Sequence, residues 1–313
     1  LPQPQVWVKI FADMKIIDIH THLELHIPGI PQDRRRKKPP RLFMYLFEKM
    51  GYSTPVWKKG NYPEPLRMMI SLDNQLRLSM ASAENLLGYM DKSGVDYSVA
   101  MPIAPFISGK EYLEKTKEFP RILSFTSAHP SDQEWPKTLR QSMEAGCRGL
   151  KIHPIAQEIN PENQFYFDLM EEFRRYNRPV LTHCGVFEYF ITKSNAAAFG
   201  KPAVLEKLVS SFPDIPFILG HMGIHEPDEA IMLAEKYENV YLETSFQPWR
   251  KIKEAINRAG SHRVLFGSDW PESEQLTPLK IARRAAGKDY ALAEAILGKN
   301  AEALIGPVDS EQS

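Results

Sequence analysis

The chain is short of cysteine, of net charge and of long apolar runs. Only Cys147 and Cys184 occur in 313 residues, too few for a disulfide framework. Cys147 stands at the start of one predicted buried strand and Cys184 within another, and both read as small apolar side chains, which fits a reducing, cytoplasmic setting. Lys and Arg total 39, as do Asp and Glu, so the formal charge is zero. No global field then recommends nucleic acid or an anionic membrane as partner. No uninterrupted apolar stretch approaches the ~20 residues of a membrane span, and residues 1–7 lack the charged and apolar regions of a secretory signal. No Gly-x-Ser-x-Gly elbow, phosphate-binding loop or Gly-x-Gly-x-x-Gly follows any predicted strand. There is no short-period repeat.

What is present is an ordinary globular mixture, 43% apolar and 25% charged. Its organising stretch is Lys15-Ile16-Ile17-Asp18-Ile19-His20-Thr21-His22-Leu23. This reads as a buried strand whose alternation puts Asp18, His20 and His22 on one face. Two imidazoles one strand repeat apart can grip a divalent ion. An isolated His-x-His is weak evidence, so later strands must supply further ligands.

They do. From residue 82 onward, apolar strands at 95–102, 122–128, 148–154, 179–185, 217–223, 240–246 and 264–271 follow one another. Helical patterns lie at 82–92, 135–145, 162–176, 203–211, 226–237, 249–259, 278–286 and 290–304. With the first strand this makes eight strand–helix units, the pattern of an α/β (β/α)8 barrel in one domain spanning 1–313. Polar residues recur at the C-terminal strand ends: His22, His129, His153, His183, His221 and Asp269. On a closed barrel those ends share one mouth, where this fold carries its active sites. Residues 24–82 interrupt the pattern with several prolines, helices expected at 42–50 and 64–77, and the basic run Arg34-Arg35-Arg36-Lys37-Lys38. So long an insertion suggests a lid or an oligomerisation element, and its apolar side chains (Leu42, Phe43, Tyr45, Leu46, Phe47, Trp57) suggest a homodimer.

His20, His22, His183 and Asp269 make a first coordination set for one divalent ion. Zn²⁺ suits it best, and Mn²⁺, Fe²⁺ or Co²⁺ are tolerated by the same nitrogen and oxygen donors. Asp269 could both touch the ion and take a proton from water. Alone, a strand-end Asp is often a helix cap and a strand-end His a hydrogen-bonded core residue; coincidence of four such residues at the ends of three strands favours the metal. His221 is the candidate acid/base, or a ligand of a second ion. His153 and, more weakly, His129 are candidate substrate contacts. Lys151 is an interior cation neutralising Asp18 or a neighbour, or alternatively a carbamate bridging two ions. Glu243 either orients a ligand histidine or forms a plain interior ion pair.

The motifs Ile17-Asp18-Ile19-His20-Thr21-His22, Gly149-Leu150-Lys151-Ile152-His153-Pro154, Leu181-Thr182-His183-Cys184-Gly185, Gly220-His221-Met222-Gly223 and Phe266-Gly267-Ser268-Asp269-Trp270-Pro271 resemble the amidohydrolase superfamily. The nearer likeness is to its amidohydrolase 2 branch, which includes aminocarboxymuconate-semialdehyde decarboxylase, resorcylate decarboxylase and related lactonases and hydratases. The closing Ile296-Leu297-Gly298-Lys299-Asn300-Ala301 is similar too. The resemblance implies a mononuclear zinc site at His20, His22, His183 and Asp269, with His221 catalytic. A binuclear centre, as in other branches, is the less favoured expectation. The reaction expected is hydrolysis of a small-molecule ester, lactone or amide by a metal-activated water. The alternative is metal-dependent, non-oxidative decarboxylation of an unsaturated or aromatic acid.

Overall fold

The computed structural model describes residues 14–23, 43–55, 57, 62–187 and 196–308. Strand β1 (Ile17–Thr21) is buried along its whole length, as a parallel strand covered on both faces must be. Two helices of the insertion follow, α1 (Phe43–Lys49) and α2 (Glu64–Leu78), close to the expected positions. The basic run at 34–38 lies outside the described residues.

Next come α3 (Ala83–Ser93), β2 (Tyr97–Ala100), α4 (Gly109–Thr116), β3 (Ile122–Ser124), α5 (Trp135–Glu144) and β4 (Leu150–Ile152). The short α6 (Pro154–Gln157), then α7 (Gln164–Phe173), β5 (Val180–Thr182), α8 (Pro202–Ser211) and β6 (Phe217–Leu219) continue the alternation. The chain ends through α9 (Pro227–Lys236), β7 (Val240–Glu243), α10 (Trp249–Ala259), β8 (Val264–Leu265), α11 (Leu276–Ala286), α12 (Tyr290–Glu294) and α13 (Asn300–Ile305). Local chemistry sets the boundaries. Ser82 caps α3 by accepting from Asn85 N–H at 3.2 Å, and Gly94 ends it in the left-handed conformation at φ 72. In α10 the buried Ile252, Ala255, Ile256 and Ala259 form one stripe, the face turned to the sheet.

All strand pairs are parallel. One sheet has the order β1-β2-β3 and the other β4-β5-β6-β7-β8. They meet at both edges. Thr21 bridges Trp270 and Thr126 bridges Leu150. At the first seam Ile19 N–H donates to Phe266 O at 3.1 Å and Asp269 N–H to His20 O at 2.8 Å; at the second, Lys151 N–H donates to Thr126 O at 2.7 Å. This is the eight-stranded ring of a TIM barrel. Leu181 and Ile218, in register with Lys151, join Ile17, Ile19, Val99 and Leu265 in one buried cluster, with Ala301 and Ile305 of α13 packed against it.

The described part of the insertion packs over the barrel mouth. Phe47, Tyr52, Trp57 and Ile70 share a cluster with Ile224 and Phe246, and the Trp57 indole N–H donates to Phe246 O at 3.1 Å. Arg77, fully buried in α2, binds Asp73 at 3.2 Å, Glu48 of α1 at 3.0 Å and the Glu272 carbonyl at 3.1 Å. It thereby ties both insertion helices to the loop after β8.

Candidate metal centre

The site is built by strand ends that leave the extended conformation. His221 and Asp269, just beyond β6 and β8, both have φ 59, a region costly for side-chain-bearing residues and often met at functional sites. On β1 the register with β2 shifts between Asp18 and Thr21, so strict alternation fails there. Asp18 therefore parts from the two histidines. Its carboxylate takes the Ser268 hydroxyl at 2.6 Å, the Ser268 N–H at 2.9 Å and Gln275 Nε2 at 2.8 Å. Burial raises it to about 6 against those bonds.

His20 and His22 converge on Asp269. Their Nε2 atoms lie 3.4 and 3.3 Å from Asp269 Oδ1. That oxygen is buried and has no hydrogen-bond partner among the described residues. The other ring nitrogens are committed: His20 Nδ1 lies 3.0 Å from Glu243 Oε2 and His22 Nδ1 2.8 Å from the Met101 carbonyl. These acceptors place the proton on Nδ1 and leave a lone pair at each Nε2. Two such lone pairs facing an unsatisfied buried carboxylate oxygen fit a divalent cation. Burial raises Asp269, but His221, His22 and Lys151 outweigh it and hold the carboxyl below its ordinary range.

Lys151 enters from β4, its Nζ 3.1 Å from His20 Nε2. Burial lowers it to about 8, against the pull of Asp269, Glu243 and Glu272. Of the two neutralising partners considered from sequence, Asp18 is satisfied elsewhere, and the carboxylates whose charge acts on the lysine are Asp269, Glu243 and Glu272.

Five imidazoles form a continuous row. His22 meets His20 at 5.1 Å between ring centroids, His20 stacks on His221 at 4.9 Å, His221 meets His183 at 5.0 Å, and His183 stacks on His153 at 4.1 Å with an interplanar angle of 8°. Burial holds His20, His153 and His183 well below the usual imidazole range, and neighbouring positive groups add to it. His221 comes down to about 4, also through burial. His183 Nε2 faces the Gly185 carbonyl at 3.1 Å, so Nδ1 is its lone-pair nitrogen. His153 Nδ1 accepts Ala156 N–H at 3.2 Å, capping α6. His129 stands apart, half-buried, with Ser131 Oγ at 2.8 Å and the Gln157 carbonyl at 3.4 Å.

Glu243 is more central than its sequence position suggested. It is fully buried and contacts His20 Nδ1, the His221 N–H, and both the N–H and hydroxyl of Ser245. Burial pushes it up to about 8 while those hydrogen bonds pull it down; four donors aimed at one carboxyl are what its charged form requires. Ser245, 2.7 Å from His221 Nδ1, was not singled out from sequence. Its two-residue spacing from Glu243 was the available signal.

A conserved-domain description, Amidohydrolase (Amidohydro_2), matches residues 17–306, and the chain belongs to this enzyme family. No curated protein matches the sequence closely enough to count as a relative. Among solved structures it is similar to an uncharacterized TIM-barrel protein from Bordetella bronchiseptica, at 20% identity and TM-score 0.64 over 93% of this chain and 98% of that one. It is also similar to 5-carboxyvanillate decarboxylase from Novosphingobium aromaticivorans, complexed with manganese and 4-hydroxy-3-methoxy-5-nitrobenzoic acid, at 15% identity and TM-score 0.64 over 94% and 96%. A third is a probable 2-pyrone-4,6-dicarboxylic acid hydrolase from Acinetobacter baumannii with citric acid bound, at 14% identity and TM-score 0.57 over 94% and 100%. Among the described residues no helix is long and apolar enough to cross a membrane.

Proposed function

We propose that this amidohydrolase hydrolyses a small-molecule ester, lactone or amide, using one divalent ion held by His20, His22, His183 and Asp269. Zinc is the first choice for a site of imidazoles and one carboxylate; manganese, iron and cobalt follow. The observation that carries the reading is the buried Asp269 Oδ1, unpartnered among the described residues and facing the lone pairs of His20 and His22. A bound ion supplies Lewis acidity and lowers the pKa of water towards ~7. Asp269 takes the proton of the attacking water and delivers it to the leaving group. His221, anchored by Ser245 at Nδ1, carries a solvent-derived proton at Nε2 and with it steadies the oxygen that gains charge, keeping that proton when the leaving group departs. His153 and His129 contact substrate on the β3–β4 side. Lys151 is an interior cation; a carbamate bridging two ions is the lesser alternative.

Decarboxylation of an aromatic or unsaturated acid is the second reading. It is favoured by the Lys151 ammonium beside His20, a fixed cation for a substrate carboxylate, and by the decarboxylase named above. We assign the 24–82 insertion to the same barrel domain as a lid, since Trp57 holds the carbonyl of Phe246 and Phe246 lies 5.3 Å from His221. Exposed Leu46, Met68, Met69 and Leu72 on its helices support a homodimer through the same element.

Elemental analysis of the wild type and of the His183→Ala, Asp269→Ala double variant tests the site. One ion per chain, lost in the double variant, is expected. Esters, lactones, amides and aromatic acids would then be screened, with CO₂ release separating the two reactions. Absence of any ion after zinc or manganese supplementation would refute the ligand assignment.

A further inference from the structure

We propose that Glu243 is a positioning residue that sets two histidines at once. It orients His20 for the metal and, through Ser245, His221 for proton transfer. This rests on the roles proposed above for those histidines.

Glu243 ends β7 and is fully buried. Its Oε2 lies 3.0 Å from His20 Nδ1, accepts the His221 N–H at 2.9 Å and accepts the Ser245 hydroxyl at 2.8 Å. Oε1 accepts the Ser245 N–H. A serine hydroxyl has one proton, and here Glu243 takes it. Ser245 Oγ can therefore only accept from His221 Nδ1, 2.7 Å away. Both rings are fixed as the Nδ1–H tautomer with Nε2 as the basic nitrogen, and one carboxylate fixes both. The rings stack at 4.9 Å and 30°, so the carboxylate clips them edge-on in a common orientation.

The neighbouring strand leaves room for this arrangement. A Cβ on Gly267 would lie 2.5 Å from Glu243 Oε1 and 2.6 Å from Cδ, so a side chain there would displace the carboxylate. The nitrogens of His20 and His221 and the Glu243 oxygen also lie close enough together to hold an ion. The protons already shared among Glu243, Ser245 and His221 instead make this a hydrogen-bonded support for the first donor set, as outer partners of metal-bound histidines usually are.

The test uses Glu243→Gln, Ser245→Ala and Gly267→Ala, each confirmed folded by its thermal melt. Zinc alone is titrated against a competing chelator, and ¹⁵N spectra of the imidazoles are recorded without zinc. Glu243→Gln should weaken zinc binding by ~10–100-fold and disturb the tautomer signals of both His20 and His221. Gly267→Ala should do the same by pushing the carboxylate aside. Ser245→Ala should leave zinc affinity unchanged and disturb His221 alone. A Glu243→Gln protein that binds zinc like the wild type, with unchanged ring signals, would overturn the inference while leaving the site reading intact. Equal zinc losses in Glu243→Gln and Ser245→Ala would overturn the division of roles. A wild type that binds no zinc under any supplementation would instead refute the site reading, and this inference with it.

Discussion

Replacing Arg77 by Met removes the centre of a buried charge web. The guanidinium has no solvent contact and serves two carboxylates, Asp73 at 3.2 Å and Glu48 at 3.0 Å. Glu48 also accepts Glu274 N–H at 3.0 Å and Asp73 accepts Met44 N–H at 2.8 Å, so neither carboxylate can turn away to water without breaking backbone bonds. Stranding buried charges in this way costs about 3–5 kcal/mol, a large part of the ~5–15 kcal/mol that holds a typical domain folded. At roughly 2–3 °C per kcal/mol for a chain of this size, the melting midpoint should fall by roughly 6–15 °C. Burial already pushes the Glu48 carboxyl up, and Arg77 is the strongest influence drawing it down. In the variant the folded-state pKa of Glu48 therefore rises further above its unfolded value. The folded state then binds the extra proton, so the deficit is fully present above that raised pKa and shrinks as the pH falls below it. Thermal unfolding at pH 7.5 and pH 5, with the triple variant Glu48→Gln, Asp73→Asn, Arg77→Met as control, reads this directly. The triple variant should recover much of the loss, because the two carboxylates that bind Arg77 directly are then neutral as well. A single variant as stable as the wild type, or a triple no better than the single, would refute the reasoning.

Two further outcomes follow from the site and its cover. With chelator present, acid should weaken the fold early: His20, His153, His183 and His221 are held below the usual imidazole range chiefly by burial, so the unfolded chain binds more protons as pH drops. Each contributes up to ~1.4 kcal/mol of lost stability per pH unit below ~6.5, down to its folded-state pKa. Denaturant midpoints that stay flat between pH 6.5 and 5 would contradict this. Trp57→Ala removes a buried ring that packs on Phe47 at 4.9 Å and Tyr52 at 5.2 Å and the indole bond to Phe246. It should speed proteolysis within the insertion and raise KM; cleavage and KM at wild-type values would exclude the lid.

The barrel was legible because its strands are largely apolar runs, most of them ending in a polar residue, and the helices between them carry one apolar stripe. Helix α4 escaped that reading. Of its side chains only Tyr112 and Thr116 turn inward, too few to print a period. The signal was chemical instead, the Ser108 and Glu111 capping box at its start. In the site, His20, His22 and Asp269 stood out by residue type and strand-end position. Asp18 was grouped with them because alternation is a fair rule until a register shift intervenes, and sequence does not announce one. Glu243 could be read either as orienting a ligand histidine or as a plain interior ion pair, and sequence alone did not separate the two. Its partner His20 lies on the first strand, 223 residues away, and only folding brings the two together.

The seam between β1 and β8 gives the candidate metal a mechanical meaning. The ring is joined there by few backbone bonds, and His20 and His22 stand on one side of it with Asp269 on the other. An ion bound by all three would act as a clasp between the first strand and the last. It would close a loop of about 250 residues, the same lever on chain entropy that a long-range disulfide applies. A chain with two buried, unpaired cysteines would gain a removable cross-link in this way. Stripping the ion would then loosen the ends of the barrel before its middle.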